Sequence, residues 1–259
     1  MLRLVAALLV GLTPVVGQDP PSPRQVPDSM AEILARSRGE TAEVRALVAG
    51  RDPNARDSHM NRPALQWSIV LNDARAFRRL LDSKPDLAAT DKEGRTALHA
   101  AAAFAGQFDT RPYAEALLAR GANANAKAPG GLTALMMAAN GKSPAVVELI
   151  VARVDRETLN ARDQFGRTAL ASAAFLGEYE TVHILLENGA DVDAADKEGK
   201  TPLMLAAGAS HGSEPTVQRL LLAKADPNAR DKAGRTALDE AKQNGTPGPV
   251  DLLRKAGAK

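Results

Sequence analysis

Residues 91–102 read DKEGRTALHAAA, and the phrase returns as GLTALMMAAN from Gly131, DQFGRTALASAA from Asp163, DKEGKTPLMLAA from Asp196 and DKAGRTALDEAK from Asp231. The leucine after each threonine falls at Leu98, Leu135, Leu170, Leu203 and Leu238, spacings of 37, 35, 33 and 35, and a weaker copy, NRPALQWS, sets Leu65 another 33 residues upstream. A second phrase trails the first: EALLARGANANAK from Glu115, HILLENGADVDAAD from His183 and QRLLLAKADPNARD from Gln218. Self-similarity at such a period marks a repeat architecture, in which each unit buries its apolar face on its neighbours.

The residues within the phrase have physical work to do. A glycine ahead of the threonine marks a tight turn. Thr96, Thr133, Thr168, Thr201 and Thr236 stand where a helix N-cap is wanted, each cap contributing about 1 kcal/mol. Pro202 fits a first helical turn, where a missing N–H costs nothing. Paired alanines such as Ala173 and Ala174 let helices approach closely, and paired leucines such as Leu185 and Leu186 fill the space between units. Gly121 and Gly189 follow as C-caps.

This arrangement resembles the ankyrin repeat from about residue 30 to the C-terminus, and the chain reads as an exported bacterial member of that family. The resemblance implies an all-α ankyrin-repeat solenoid, with β-hairpin fingers plus antiparallel helix pairs, of about seven repeats including caps. The segment from Glu32, EILARSRGETAEVRALVAGRDPNARD, reads as the N-terminal capping unit. Asp239, Glu240, Lys242 and Gln243, where other units carry Ala or Leu, read as the polar outer face of a C-terminal cap. The family's usual task is to bind another protein on the concave face formed by fingers and first helices.

Composition agrees with a stack of small side chains: of 259 residues 44% are hydrophobic but only eight are aromatic (Phe 5, Tyr 2, Trp 1). A formal charge of +2 creates no global field favouring nucleic acid. Without cysteine there is no disulfide, thiol nucleophile or zinc finger.

Ahead of the repeats, residues 1–17, MLRLVAALLVGLTPVVG, have a positive residue, an apolar run and small residues before a cut after Gly17, the layout of a signal peptide. Residues 18–28, QDPPSPRQVPD, read as a Pro-rich spacer, leaving 29–259 as the repeat domain. Export to the periplasm follows as an expectation, with secretion as the other destination and no membrane insertion after cleavage.

Function in a repeat protein is sought where copies differ. The second repeat is enlarged between its helices around AGQFDTRPY, offering Phe108, Arg111 and Tyr113; the fifth is enlarged at GASHGSEP from Gly208. The third has an uncharged finger, APGG, and extra residues in VARVDRETLNARD. On the fingers Arg95, Arg167, Lys200 and Arg235 recur at one position, Phe165 stands at a tip, and Phe104 and Phe175 are equivalent at the ends of first helices. Aromatics with arginine are what a binding hot spot favours, so these ten residues form the candidate partner surface.

No nucleophile, phosphate loop or dinucleotide fingerprint occurs, and the four histidines lack metal-ligand spacing. His99 sits where a T-x-L-H phrase would use it for hydrogen bonding at a helix start. The expectation is a monomeric, non-enzymatic scaffold or chaperone-like protein, without cofactor or metal, whose partner is a protein. The alternatives are a toxin-neutralising or host-directed interaction protein and, more remotely, an enzyme or a glycan-binding module using the enlarged loops, for which Trp67 alone is a poor platform.

Overall fold

A computed structural model describes residues 42–209 and 213–259; the expected leader, the spacer and the start of the N-terminal capping unit lie outside them. Residues 41–259 form one unit. Its first described helix, α1 (Ala42–Ala49), is followed by six helix pairs: α2 (Ala64–Val70) with α3 (Ala74–Asp82), α4 (Ala97–Ala103) with α5 (Arg111–Ala119), α6 (Ala134–Asn140) with α7 (Pro144–Val151), α9 (Ala169–Leu176) with α10 (Tyr179–Glu187), α11 (Pro202–Ala207) with α12 (Ser213–Leu222), and α13 (Ala237–Gln243) with α14 (Pro247–Lys255). The extra residues of the third repeat make the one-turn helix α8 (Arg156–Leu159), which Asp155 starts by accepting the Thr158 N–H at 2.7 Å.

First helices stack on first helices through alanine. Ala101, Ala138, Ala139, Ala173, Ala174, Ala206 and Ala207 are fully buried, and the leucines Leu98, Leu135, Leu170 and Leu203 are at most 1% exposed. Small side chains on one face let backbones close up, and the leucines fill the interior at the density of a core. The caps hold as the sequence implies: Thr133, Thr168 and Thr201 accept the N–H groups of Met136, Ala171 and Met204, and Thr236 exchanges bonds with Asp239.

The fingers are tight turns more than hairpins. Only the third forms a strand pair among the described residues, β1 (Lys127–Ala128) with β2 (Leu132–Thr133), antiparallel with Lys127 opposite Thr133. In the others an aspartate closes the turn: Asp163 Oδ1 accepts the N–H groups of Phe165 and Arg167 at 2.8 and 2.9 Å. Gly166 is required twice over. Its φ is +80°, and a Cβ there would come within 2.8 Å of Lys197 N in the next finger. At Gly234 φ is +78° but a Cβ would meet nothing within 4 Å, so only the backbone conformation calls for glycine there.

Units are also stapled at their exit turns. Asn54, Asn125, Asn160, Asp193 and Asn228 each accept, from a side-chain oxygen, the N–H of the corresponding turn one unit on: Asp86, Asp155, Asp191, Asp226 and Lys259, at 2.8–3.1 Å. At the C-terminus Asp239, Lys242 and Gln243 are exposed, as a cap needs, but Glu240 is 6% exposed. It turns inward because Lys200 Nζ reaches it at 2.9 Å and Arg235 Nη2 at 3.2 Å.

His99 links two units. Thr96 N–H donates to its Nδ1 at 3.3 Å, and its Nε2 lies 3.3 Å from Leu132 O of the next finger. An accepting Nδ1 puts the proton on Nε2, so the neutral ring satisfies both contacts. Burial, above all, lowers its pKa below the ordinary 6.5. Below about pH 6.5 the unfolded chain therefore takes up a proton that the folded chain refuses, and stability falls as acid is added; above that pH the contribution is constant. The carboxylates of Asp57, Asp231 and Asp239, also lowered, begin to matter only near their ordinary 3.8 and below. The urea midpoint should drop between about pH 7.5 and about pH 5.5, and His99→Gln, which keeps an acceptor at the third helical position, should flatten that slope.

Candidate partner-binding surface

The candidate residues lie on fingers (Arg95, Phe165, Arg167, Lys200, Arg235), at the ends of first helices and the loop beyond (Phe104, Phe108, Phe175) and on the second helix α5 (Arg111, Tyr113), and they differ in burial. Arg95 is drawn inside. Only 8% exposed, it gives Nε to Asp91 Oδ2 at 3.1 Å and Nη1 to Glu93 Oε2 at 2.7 Å. Tyr113 is also interior, 4% exposed, edge-on to Phe77 with ring centroids 4.8 Å apart and its hydroxyl donating to Asn72 Oδ1 at 2.8 Å. The sequence reading offered both as exposed partner contacts; instead the Arg95 side chain closes its own finger and Tyr113 ties the second repeat to the first.

The enlarged loop of the second repeat folds back onto the stack. Phe104 and Phe108 are half-buried and stacked at 6.0 Å. Phe104 packs on the small cluster of Val44, Val48, Trp67, Val70 and Ala76, and Phe108 on the main core. Arg111 stays exposed at the head of α5. Trp67, 1% exposed, gives its Nε1–H to Asp57 and lies under the Arg62 guanidinium at 4.5 Å, so it offers no platform to a sugar. Part of the fifth repeat's enlarged loop, residues 210–212, lies outside the described residues.

Arg167, Lys200 and Arg235 are only partly exposed, each engaged by a carboxylate: Asp163, Glu240, and Asp231 with Glu240 respectively. What remains open is aromatic. Phe165 is 40% exposed, with the Arg167 guanidinium 4.7 Å from its ring centre, and Phe175 is 58% exposed. Two residues the sequence reading passed over join them: Tyr179, 45% exposed and stacked on His183 at 6.3 Å, and Leu222, 70% exposed. Tyr179 opens α10 immediately after Gly177 and Glu178, and a large aromatic at a loop-to-helix junction was the available signal. Among the described residues no group of three or more His, Asp or Glu side chains could hold a metal ion, and no helix is long and apolar enough to cross a membrane.

Finger turns followed by paired short helices, each pair packed on the next with interunit staples, define a helical-repeat stack. A family model described as ankyrin repeats (3 copies) matches residues 32–128, 104–196 and 188–259. The chain belongs to the ankyrin repeat family. It is similar to neurogenic locus notch homolog protein 1 of Xenopus tropicalis, 35% identical over 145 residues, which are 55% of this chain and 6% of that protein. It is similar also to Inversin of Homo sapiens, 29% identical over 174 residues, 67% of this chain and 16% of that protein. The chain thus spans less than a fifth of the length of either relative.

Proposed function

We propose that this protein is a non-enzymatic interaction scaffold that receives another protein on its finger and first-helix face, with the fourth repeat as the anchor. One observation carries this reading: of the four large hydrophobic side chains left exposed among the described residues, three belong to that single repeat, Phe165 on its finger, Phe175 on its first helix and Tyr179 at the start of its second. A stack that buries or half-buries its other aromatics gains nothing in stability from leaving these in water, and rigid exposed aromatics are efficient anchors because few rotamers are lost on binding. The face is held by interunit bonds, so little ordering entropy is lost on association.

We place the scaffold in the cell envelope, on the export leader read in residues 1–17. Affinity capture from an envelope fraction with the whole chain and with Phe165→Ala/Phe175→Ala tests both parts. The wild type should recover specific proteins that the folded double variant recovers in much lower yield; equal yields overturn the assignment of the face. Intact mass of the exported protein should correspond to a start at Gln18, and a retained Met1 would overturn processing. Several partners fit a scaffold or chaperone-like role; one tightly held partner fits the neutralising one.

A further inference from the structure

Among the described residues five fingers carry a cation three residues before the repeat's leucine, and four of those cations reach a carboxylate other than the aspartate of their own finger. Arg62 Nη2 stands 3.6 Å from Asp91 Oδ2 of the next finger. Arg95 Nη1 meets Glu93 Oε2 at 2.7 Å, Lys200 Nζ meets Glu240 Oε1 at 2.9 Å, and Arg235 Nη2 lies 3.2 Å from the same Glu240 oxygen. Arg167 is the exception. Its Nε and Nη2 go to Asp163 Oδ2 at 3.0 and 2.9 Å, and its Nη1 has no partner among the described residues.

The sequence accounts for the difference at two places. The finger tip that is Glu93 in the second repeat is Phe165 in the fourth. The helix position two beyond the repeat's leucine, from which Glu240 reaches Arg235 of its own repeat and Lys200 of the preceding one, is Ser172 in the repeat of Arg167 and Leu205 in the next. Both of these sources are therefore absent where Arg167 stands, and among the described residues no ion pair joins it to Asp196, the counterpart of the Asp91 that Arg62 meets. The guanidinium lies against the Phe165 ring, its side chain 42% exposed. Phe175 follows Ser172 by three residues on α9, so their Cβ atoms share a face about 5–6 Å apart.

From this geometry we infer that Arg167, against Phe165 and in the same repeat as the exposed Phe175, is an acceptor for a carboxylate supplied by the partner: an Asp or Glu side chain flanked by an apolar residue in an extended protein segment. The molecule contains its own template for the contact, since Glu93 on Arg95 shows how a carboxylate meets a guanidinium already oriented by a finger aspartate. Asp163 fixes the arginine beforehand, so a second carboxylate meets a fork whose rotamer entropy is already spent. Phe165, against the guanidinium, supplies an apolar flank that limits water at the pair and strengthens it, and Phe175, exposed further along α9, offers the partner's apolar residue a second contact. The inference rests on the interaction-scaffold reading and specifies the chemistry of its partner.

The test uses the whole chain and a random displayed peptide library. Sequences enriched on the wild type should share an Asp or Glu beside Leu, Ile or Phe. A synthetic representative should bind the Arg167→Gln chain about tenfold or more weakly, the corresponding peptide amide should lose a similar factor on the wild type, and the two losses should not add. Phe165→Glu rebuilds the tip of the second finger. It should abolish peptide binding while the thermal midpoint holds or rises, which separates a blocked site from a misfolded one. Enriched peptides without a carboxylate, additive losses, or enrichment no greater than on the Phe165→Glu chain would each overturn the inference. Capture of the same envelope proteins by Arg167→Gln as by wild type would also overturn it while leaving the scaffold reading intact; failure of the wild type to capture any protein would remove that reading itself.

Discussion

Asp91→Ala should lower the free energy of unfolding by about 3–5 kcal/mol, the range found when one partner of a buried ion pair is removed. Asp91 is 1% exposed at its side chain and serves two fingers. Oδ1 accepts the N–H groups of Glu93 and Arg95, both at 3.0 Å; Oδ2 accepts Arg95 Nε at 3.1 Å and stands 3.6 Å from Arg62 Nη2. The two arginine side chains are only 8% and 9% exposed. Burial and then the charge of Arg95 already lower the Arg62 pKa. Deleting the carboxylate strands two like charges with little water to screen them, Arg95 keeping only Glu93 at its outer edge. Asp163→Ala removes the same backbone bonds from the fourth finger but leaves one cation that is 42% exposed, so it should cost only about 1–2 kcal/mol. Urea unfolding of both variants at neutral pH measures the difference. Equal costs would show that the finger bonds, and not the buried charges, set the effect. Adding Arg62→Met to Asp91→Ala should recover part of the loss, because it withdraws one stranded cation while a hydrophobic stem stays near Trp67.

That comparison also marks where the sequence was legible and where it was not. The period, the helix starts and the buried leucines followed from Thr96–Leu98 and its copies, because caps and helix periodicity are local properties. Arg95 and Arg167 sit in the same five-residue phrase and look alike, yet one is sealed and the other partly open. What separates them is the tip residue, Glu93 against Phe165, together with the previous finger, whose Arg62 closes over Asp91. Contacts between units have no signature inside a unit. The exit-turn staples from Asn54, Asn125, Asn160, Asp193 and Asn228 were invisible for that reason, although the recurrence of a short polar side chain in ANAN, LNARD and DPNARD could have pointed to them. Tyr113 misled in the opposite direction: it lies in an enlarged segment, where exposure is the usual expectation, but that segment folds back to pack on Phe77. Glu240 likewise read as part of a polar cap until two neighbouring cations gave it a reason to turn inward.

Leu170→Ala should cost about 2–5 kcal/mol, and its neighbours place it toward the upper part of that range. Leu170 is 1% exposed in α9, between α6 and α11. The helices around it already touch through Ala138, Ala139, Ala206 and Ala207, so they have little room to move in and fill the void, and the cavity term is retained in full. A stack of this kind is coupled mainly between nearest neighbours, so the damage should centre on the third to fifth repeats. Amide exchange should accelerate most in α6, α9 and α11, and less in α2. Leu238→Ala is the matched control. Leu238 occupies the corresponding place in α13, 4% exposed, and among the described residues its repeat packs against a neighbouring repeat on one side. It should cost less, and its faster exchange should be confined to α13, α14 and the adjoining α11. Equal losses from the two substitutions, or a uniform rise in exchange along the whole unit, would mean that the repeats unfold as one block.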